Sequence, residues 1–372
     1  MRQIHGLPIF RIWHKNFYLG GLLNSSAFSD TIRPMEEQKT ILLAHGGGGR
    51  LMRDLIDRLI VPALGSPSGP LMDSAILDLP TGKIGFTTDS YVVQPLFFPG
   101  GDIGKLAVCG TVNDLAVAGT RPIALSMGLI IEEGLAVEDL KKILSSAAQT
   151  ATQAGVRIIT GDTKVVEKGA ADGLFINTAG IGIQIENAQI GFERIRPGDR
   201  ILLNGTLGDH GMTIMSKRRD ISFDSPMTSD CACLNGLIEI LLAECGTEIK
   251  FMRDPTRGGL AATLNEIAQE AGAAVEIDEK KLPINPAVRG AAEMLGFDLL
   301  HTANEGKVVV VVSEAAAQKA LRVCTAHPLG GQGALIGTIT AADGRPLVEL
   351  LTQIGGRRIV QMPYGRDLPR IC

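Results

Sequence analysis

Gly101-Asp102-Ile103-Gly104-Lys105-Leu106-Ala107-Val108-Cys109-Gly110-Thr111-Val112-Asn113-Asp114-Leu115-Ala116-Val117-Ala118 reads as one helix, opened by Asp102 as its N-cap and closed by Gly119 and Pro122. Beyond its first turn the only charge is Asp114. A carboxylate in so apolar a helix is costly unless an ion or hydrogen bonds compensate it. Strand-like runs flank the helix, at residues 84–88 before it and 123–131 after it. Further out lie an amphipathic helix at 137–154 and strands at 156–160 and 175–185. Upstream, a short apolar run at 40–44 leads into Gly46-Gly47-Gly48-Gly49-Arg50 and a helical pattern at 51–63.

The segment 186–199 ends in Arg196-Pro197-Gly198-Asp199 and reads as a crossing between two domains. The pattern then restarts. A strand is predicted at 200–204, helices at 209–216, 233–244 and 258–271, and a β-branched strand at 307–313. Both halves mix helix and strand, so the class is α+β or α/β. The expected domains are 40–186 and 187–360, with a flexible, exposed tail at 361–372. Residues 1–34 are basic, through Arg2, Arg11, Lys15 and Arg33, but hold no continuous apolar stretch of a signal peptide. Met35-Glu36-Glu37-Gln38-Lys39 reads as an ordinary protein start, so 1–39 is taken as an extension, disordered or a misassigned start.

Composition narrows the function. A net charge of -4 argues against a nucleic-acid surface. No apolar run reaches the roughly 18 residues a membrane span needs. Six cysteines without CxxC spacing fit a reducing compartment, and the chain is expected to be cytoplasmic. Cys231 and Cys233 form a CxC pair with no second cluster to complete a metal site. Forty-five glycines suit a backbone that approaches ligands closely.

Four aspartates stand out. Asp114 lies in the apolar helix; Asp89, Asp162 and Asp254 each follow a short apolar, strand-like run and adjoin Thr, Gly or Pro. An Asp after a strand is commonly a turn or cap residue. Four such carboxylates, together with glycine-rich turns, are the parts of a Mg²⁺-nucleotide site. The run Gly46–Gly49 opens a helix and could cradle phosphate or be a flexible turn; it lacks the Lys-Ser/Thr of a P-loop. Gly208-Asp209-His210-Gly211 also opens a helix, and could bind an anion or metal, or His210 could simply hydrogen-bond there. Glu305, in Asn304-Glu305-Gly306, could be a base or a turn residue, and Lys164 a surface partner of Asp162 or a site residue. The chain ends in Cys372, on a tail with no prenylation box.

These segments together resemble the HypE family of hydrogenase maturation factors, the carbamoyl dehydratases, from about residue 40 to Cys372. The carrying residues are His45-Gly46-Gly47-Gly48-Gly49-Arg50, Thr87-Thr88-Asp89-Ser90, Phe98-Pro99-Gly100-Gly101-Asp102-Ile103-Gly104-Lys105, Val112-Asn113-Asp114-Leu115-Ala116, Thr160-Gly161-Asp162-Thr163-Lys164-Val165-Val166, Arg253-Asp254-Pro255-Thr256-Arg257-Gly258-Gly259-Leu260, Asn304-Glu305-Gly306 and Pro369-Arg370-Ile371-Cys372. The aspartate motifs alone indicate only the wider ATP-using group resembling aminoimidazole ribonucleotide synthetase; the terminal cysteine separates HypE from it.

The resemblance implies an α+β two-domain fold whose N-terminal sheet pairs in a homodimer, with ATP and Mg²⁺ near the interface. It implies Asp89, Asp114 and Asp254 as metal ligands. Gly46, Gly47, Gly48, Gly49, Lys105, Asn113, Gly161, Asp162, Thr163 and Asp209 would contact the nucleotide. Cys372 would carry a carbamoyl group delivered by the carbamoyltransferase HypF, and ATP-dependent dehydration would turn it into a thiocyanate. Glu305 and Lys164 would handle the protons, and an iron-carrying HypC–HypD complex would accept the cyanide. The competing expectations are a selenophosphate or purine-intermediate synthase of the same group, and a non-catalytic cysteine carrier.

Overall fold

A computed structural model describes residues 39–46, 50–65, 79, 82–219, 221, 227–363 and 371–372. The expected extension up to residue 38, the glycines Gly47, Gly48 and Gly49, and positions 364–370 of the tail lie outside the described residues.

The predicted helix at 51–63 is α1 (Arg50–Leu55) joined to α2 (Val61–Leu64) by a π turn. The first sheet takes β1 (Ile84–Tyr91), β4 (Thr120–Glu132), β5 (Arg157–Val166) and β6 (Leu174–Gln184), in the order β1-β6-β4-β5. A small hairpin of β2 (Phe97–Phe98) and β3 (Gly101–Asp102) leads into α3 (Ile103–Val117). Asp102 caps α3 as expected, accepting from the Gly104 and Lys105 N–H groups at 2.7 and 3.1 Å. Helix α4 (Val137–Ala154) returns the chain between the parallel pair β4 and β5, ending at left-handed Gly155. Leu106, Val108, Leu125, Leu129, Ile143 and Leu144 knit both helices and the sheet into one core. The other face of the sheet is open: Phe86 is 71% exposed, Ile84 55% and Ile130 42%.

The second sheet has seven strands in the order β13-β12-β9-β11-β7-β10-β8. These are β7 (Arg200–Leu203), β8 (Ile249–Arg253), β9 (Ala274–Asp278), β10 (Val309–Val312), β11 (Ala334–Thr340), β12 (Leu347–Leu351) and β13 (Arg357–Ile359). Helices α5 (Asp209–Arg218), α6 (Asn235–Cys245), α7 (Gly259–Ala271), α8 (Pro286–Leu295) and α9 (Glu314–Ala326) intervene. Val309 and Val311 pack towards α7, and Val310 and Val312 towards α6 and α9. Coverage on both faces explains why β10 is an unbroken β-branched run. It begins later than predicted because the Val308 N–H is taken by the Asn204 side chain at 2.7 Å, and Lys307 turns to Asp230.

Two corrections bear on the site. The strands expected at 84–88 and 156–160 run on to Tyr91 and Val166. Asp89 and Asp162 therefore sit inside strands, opposite Thr178 and Gly128, rather than just beyond their ends. Asp162 is tolerated there because it faces the open side of an edge strand, and Asp89, facing the other way, accepts from the Tyr91 hydroxyl.

Candidate active site

Alternation along β1 sends Thr87, Asp89 and Tyr91 towards α3, and Phe86, Thr88 and Ser90 to the open face. On the α3 side, the Thr87 hydroxyl donates to Asp114 Oδ2 at 2.9 Å and the Tyr91 hydroxyl to Asp89 Oδ2 at 3.1 Å. Tyr91 needs a glycine opposite it, since a Cβ at Gly110 would lie 2.2 Å from its hydroxyl. Asp254 enters from the second sheet, one residue beyond β8. Burial, then the Asp89 charge, pushes Asp114 up to about 6, with Thr87 opposing. Burial, then the Asp114 charge, pushes Asp254 up to about 7. Asp114 and Asp254 are thus crowded enough to hold protons unless a cation joins them.

These groups line a cavity of about 570 Å³ together with Glu305, Cys372, Arg253 and Arg257. Glu305 is 3% exposed, and its Oε1 has no hydrogen-bond partner among the described residues. Burial, with Cys231, Asp254, Asp230 and Asp89 around it, raises its proton affinity well above that of an ordinary glutamate. Its backbone is fixed by Asp230, whose two oxygens accept from the Glu305 and Gly306 N–H groups at 3.2 Å each while Lys307 Nζ donates at 3.0 Å. Burial alone would raise Asp230, but Lys307 and these donors outweigh it and keep it ionised.

The tail ends in this cavity. Ile371 is 2% exposed and packs in the first core. The Val92 N–H donates to the terminal carboxylate of Cys372 at 3.1 Å, and His210 Nε2 contacts the Ile371 carbonyl at 2.7 Å. The expectation of an exposed terminal thiol is corrected: an apolar penultimate residue gives the tip something to bury, and Cys372 is half-buried. Burial, then the charge of Glu305, raises its thiol, with Arg257 opposing.

The remaining predicted residues fall elsewhere. Asp162 lies in the row Ser90–Asn177–Gly128–Asp162, and Asp89 in the row Asp89–Thr178–Met127–Gly161. Adjacent rows face opposite sides of a sheet. Asp162 and Lys164 therefore form an ion pair on the open face, where Lys164 is 60% exposed, away from Glu305. Thr163 between them is buried. Gly46 stands beside them, since a Cβ on it would meet Val165 at 2.9 Å. Lys105, Asn113 and Asp209 lie outside the lining of this cavity, and among the described residues their side chains hold the chain. Lys105 Nζ donates to the Gly100 carbonyl at 2.8 Å. Asn113 bonds the Ala232 and Glu305 carbonyls and the Leu234 N–H, tying α3 to the Glu305 loop. Asp209 accepts from Thr206 and lies 3.9 Å from Lys307.

Sequence reasoning missed Tyr91, Arg253, Arg257 and Asp230 as members of this group. Tyr91 was within reach, two residues beyond Asp89 on the same strand face. The Ser229-Asp230-Cys231 loop carries no comparable signal. The thiols of Cys109 and Cys233 do meet at 3.5 Å, across the two halves.

The aspartates are hard oxygen donors suited to Mg²⁺, and the two arginines suit phosphate. Among the described residues no three His, Cys, Asp or Glu side chains stand close enough together to hold a metal ion, so a cation there would take much of its shell from outside the chain. Among the described residues no helix is long and apolar enough to cross a membrane.

Models of the N- and C-terminal domains of AIR synthase related proteins match residues 71–184 and 196–348. Carbamoyl dehydratase HypE of Bradyrhizobium diazoefficiens is 50% identical over 331 residues, 89% of this chain and 95% of that protein. A crystal structure of hydrogenase maturation protein HypE in complex with ATP superposes with a TM-score of 0.86 at 46% identity, covering 90% of this chain and all of that one. A HypE chain from a HypE–HypF complex matches at 52% identity and a TM-score of 0.73, over 75% of this chain and 90% of that one. With two AIR synthase related domains and these relatives along nearly its whole described length, the chain belongs to the HypE family of carbamoyl dehydratases.

Proposed function

We propose that this protein is the ATP-dependent carbamoyl dehydratase of [NiFe]-hydrogenase maturation, working on its own terminal cysteine. The observation that carries the reading is the seating of Cys372 in one cavity with Glu305, Asp89, Asp114 and Asp254. HypF would load the thiol as S–C(=O)–NH₂. The net reaction is R–S–C(=O)–NH₂ + ATP → R–S–C≡N + ADP + phosphate, so the amide oxygen leaves in the phosphate. ATP with Mg²⁺ supplies the activation that makes this oxygen a leaving group.

The protein's own groups do the rest. Asp89, Asp114 and Asp254 would hold Mg²⁺, relieving their mutual repulsion. Glu305, buried and with an oxygen unengaged, takes a proton from the amide nitrogen. The Val92 N–H holds the tip while Arg257 offsets negative charge near the sulfur. Asp162 and Lys164, on the side of the sheet away from this cavity, would serve the site of a second copy, docked through the apolar face of Ile84, Phe86 and Ile130, with Gly46, Gly161 and Thr163 next to them in the chain or packing. The S–CN bond would then break, the cyanide passing to an iron-carrying HypC–HypD complex and the thiolate staying on Cys372.

The test is mass spectrometry of the C-terminal peptide after incubation with HypF, carbamoyl phosphate and Mg-ATP. The expected result is a carbamoyl adduct on Cys372 that loses one water with ATP and keeps it with a non-hydrolysable analogue. An adduct that never loses water would leave only a carrier. Absence of any adduct would point to another synthase of the group.

A further inference from the structure

His210 is fully buried in the first turn of α5, with the edge of Phe98 5.5 Å away between ring centroids. It lines no part of the cavity and takes no part in the chemistry above. Burial favours its neutral form, which has one donor and one acceptor nitrogen. The Ile371 carbonyl, 2.7 Å from Nε2, can only accept, so Nε2 carries the proton. Nδ1 then accepts from the Ser229 hydroxyl at 2.8 Å, and Ser229 Oγ in turn accepts from the Cys231 N–H at 3.1 Å. The result is a directed chain, Cys231 N–H to Ser229 to His210 to the penultimate carbonyl of the tail. Between Ser229 and Cys231 lies Asp230, which holds the backbone of Glu305.

We propose that His210 is the latch of the terminal arm: a positioning residue whose Nε2–H seats the Ile371 carbonyl and so sets Cys372 against Glu305, with both mounted on the segment 229–231. This rests on the functional reading above only in what docking is for; the docking itself can be measured without it. Among the described residues the tip is held by one hydrogen bond from His210, one from Val92 and the buried Ile371 side chain, a hold suited to a thiol that visits other proteins.

The test is the rate at which iodoacetamide alkylates Cys372 in the full-length, unloaded protein, read on the peptide 368–372 released by cleavage after Asp367. His210→Ala should accelerate alkylation about tenfold, the size of one lost buried hydrogen bond. His210→Gln, whose amide N–H can replace Nε2–H, should return the rate to near wild type. Ile371→Ser should accelerate it from the tail side without touching the body of the protein. An unchanged rate in His210→Ala overturns the latch, as does an equal acceleration in His210→Gln, which would mark general loosening. On carbamoyl-loaded protein, His210→Ala should slow single-turnover dehydration by a similar factor and leave loading by HypF unslowed. Equal slowing of both steps overturns the positioning role. If wild-type protein never dehydrates its adduct, the dehydratase reading fails while the alkylation rates still decide the latch.

Discussion

Asp254 and Asp114 hold their protons more tightly in the fold than in the unfolded chain, at about 7 and about 6 against an ordinary 3.8. Their contribution to stability is therefore greatest at acid pH and is lost as the pH rises towards those values. In metal-free protein, denaturant titrations should show this loss between pH 4 and pH 8. Asp254→Asn should flatten it by on the order of 4 kcal/mol, the equivalent of its shift, while abolishing ATP turnover. A variant with the wild-type slope would mean that Asp254 is not strained by its neighbours. Glu305→Gln keeps the shape but cannot accept a proton; dehydration of the loaded cysteine should fall by roughly a hundredfold or more, with carbamoyl loading unchanged in the same mass-spectrometric assay. Asp114 was legible in the sequence because its helix offers no other reason for a charge. Asp230 was not, because a loop Asp is ordinary until Glu305 is seen to hang from it.

At the scale of the element, α3 and α4 were readable nearly to the residue. Asp102 and Gly155 mark termini by local chemistry that acts before any tertiary contact forms. Strands β8, β12 and β13 were not readable, being at most five residues long and dependent on neighbours distant in sequence. The end of β1 was misplaced because Asp89-Ser90 breaks an apolar run, although the ladder with β6 continues through both. Helix α3 also shows what close approach demands. Gly110→Ala would drive a methyl into the Tyr91 hydroxyl. The expected cost is about 1–3 kcal/mol of stability, measured by thermal or chemical unfolding, with a larger loss of activity as Tyr91 is pushed off Asp89. Unaltered activity would show that the Tyr91–Asp89 bond is dispensable.

For the whole molecule, the two faces of the first sheet divide the labour. One bears Asp89 towards α3 and the cavity, and the other carries Asp162 and Lys164 beside exposed apolar side chains. If a second copy completes each site, Asp114→Asn and Lys164→Ala proteins, each inactive alone, should complement when refolded together. Mixed dimers would hold one intact site in two, giving roughly a quarter of wild-type ATP turnover for random pairing. No recovery in mixtures shown by native mass spectrometry to contain mixed dimers would place Lys164 outside the site. This division was invisible in the sequence, where Asp89 and Asp162 look alike; only the register, which puts Ser90 rather than Asp89 in the row of Asp162, tells them apart.

The same alternation constrains how the gene can change. Inserting or deleting a single codon between Phe86 and Asp89 would exchange the two sides of the strand beyond it. An acid would then be delivered to the open apolar face and its neighbour to the cavity. Substitutions in β1 can be tolerated one at a time according to what each side chain touches. A change of length there would disturb the cavity and the open apolar face in one event, so the spacing of this strand is itself under the constraint usually ascribed to individual side chains.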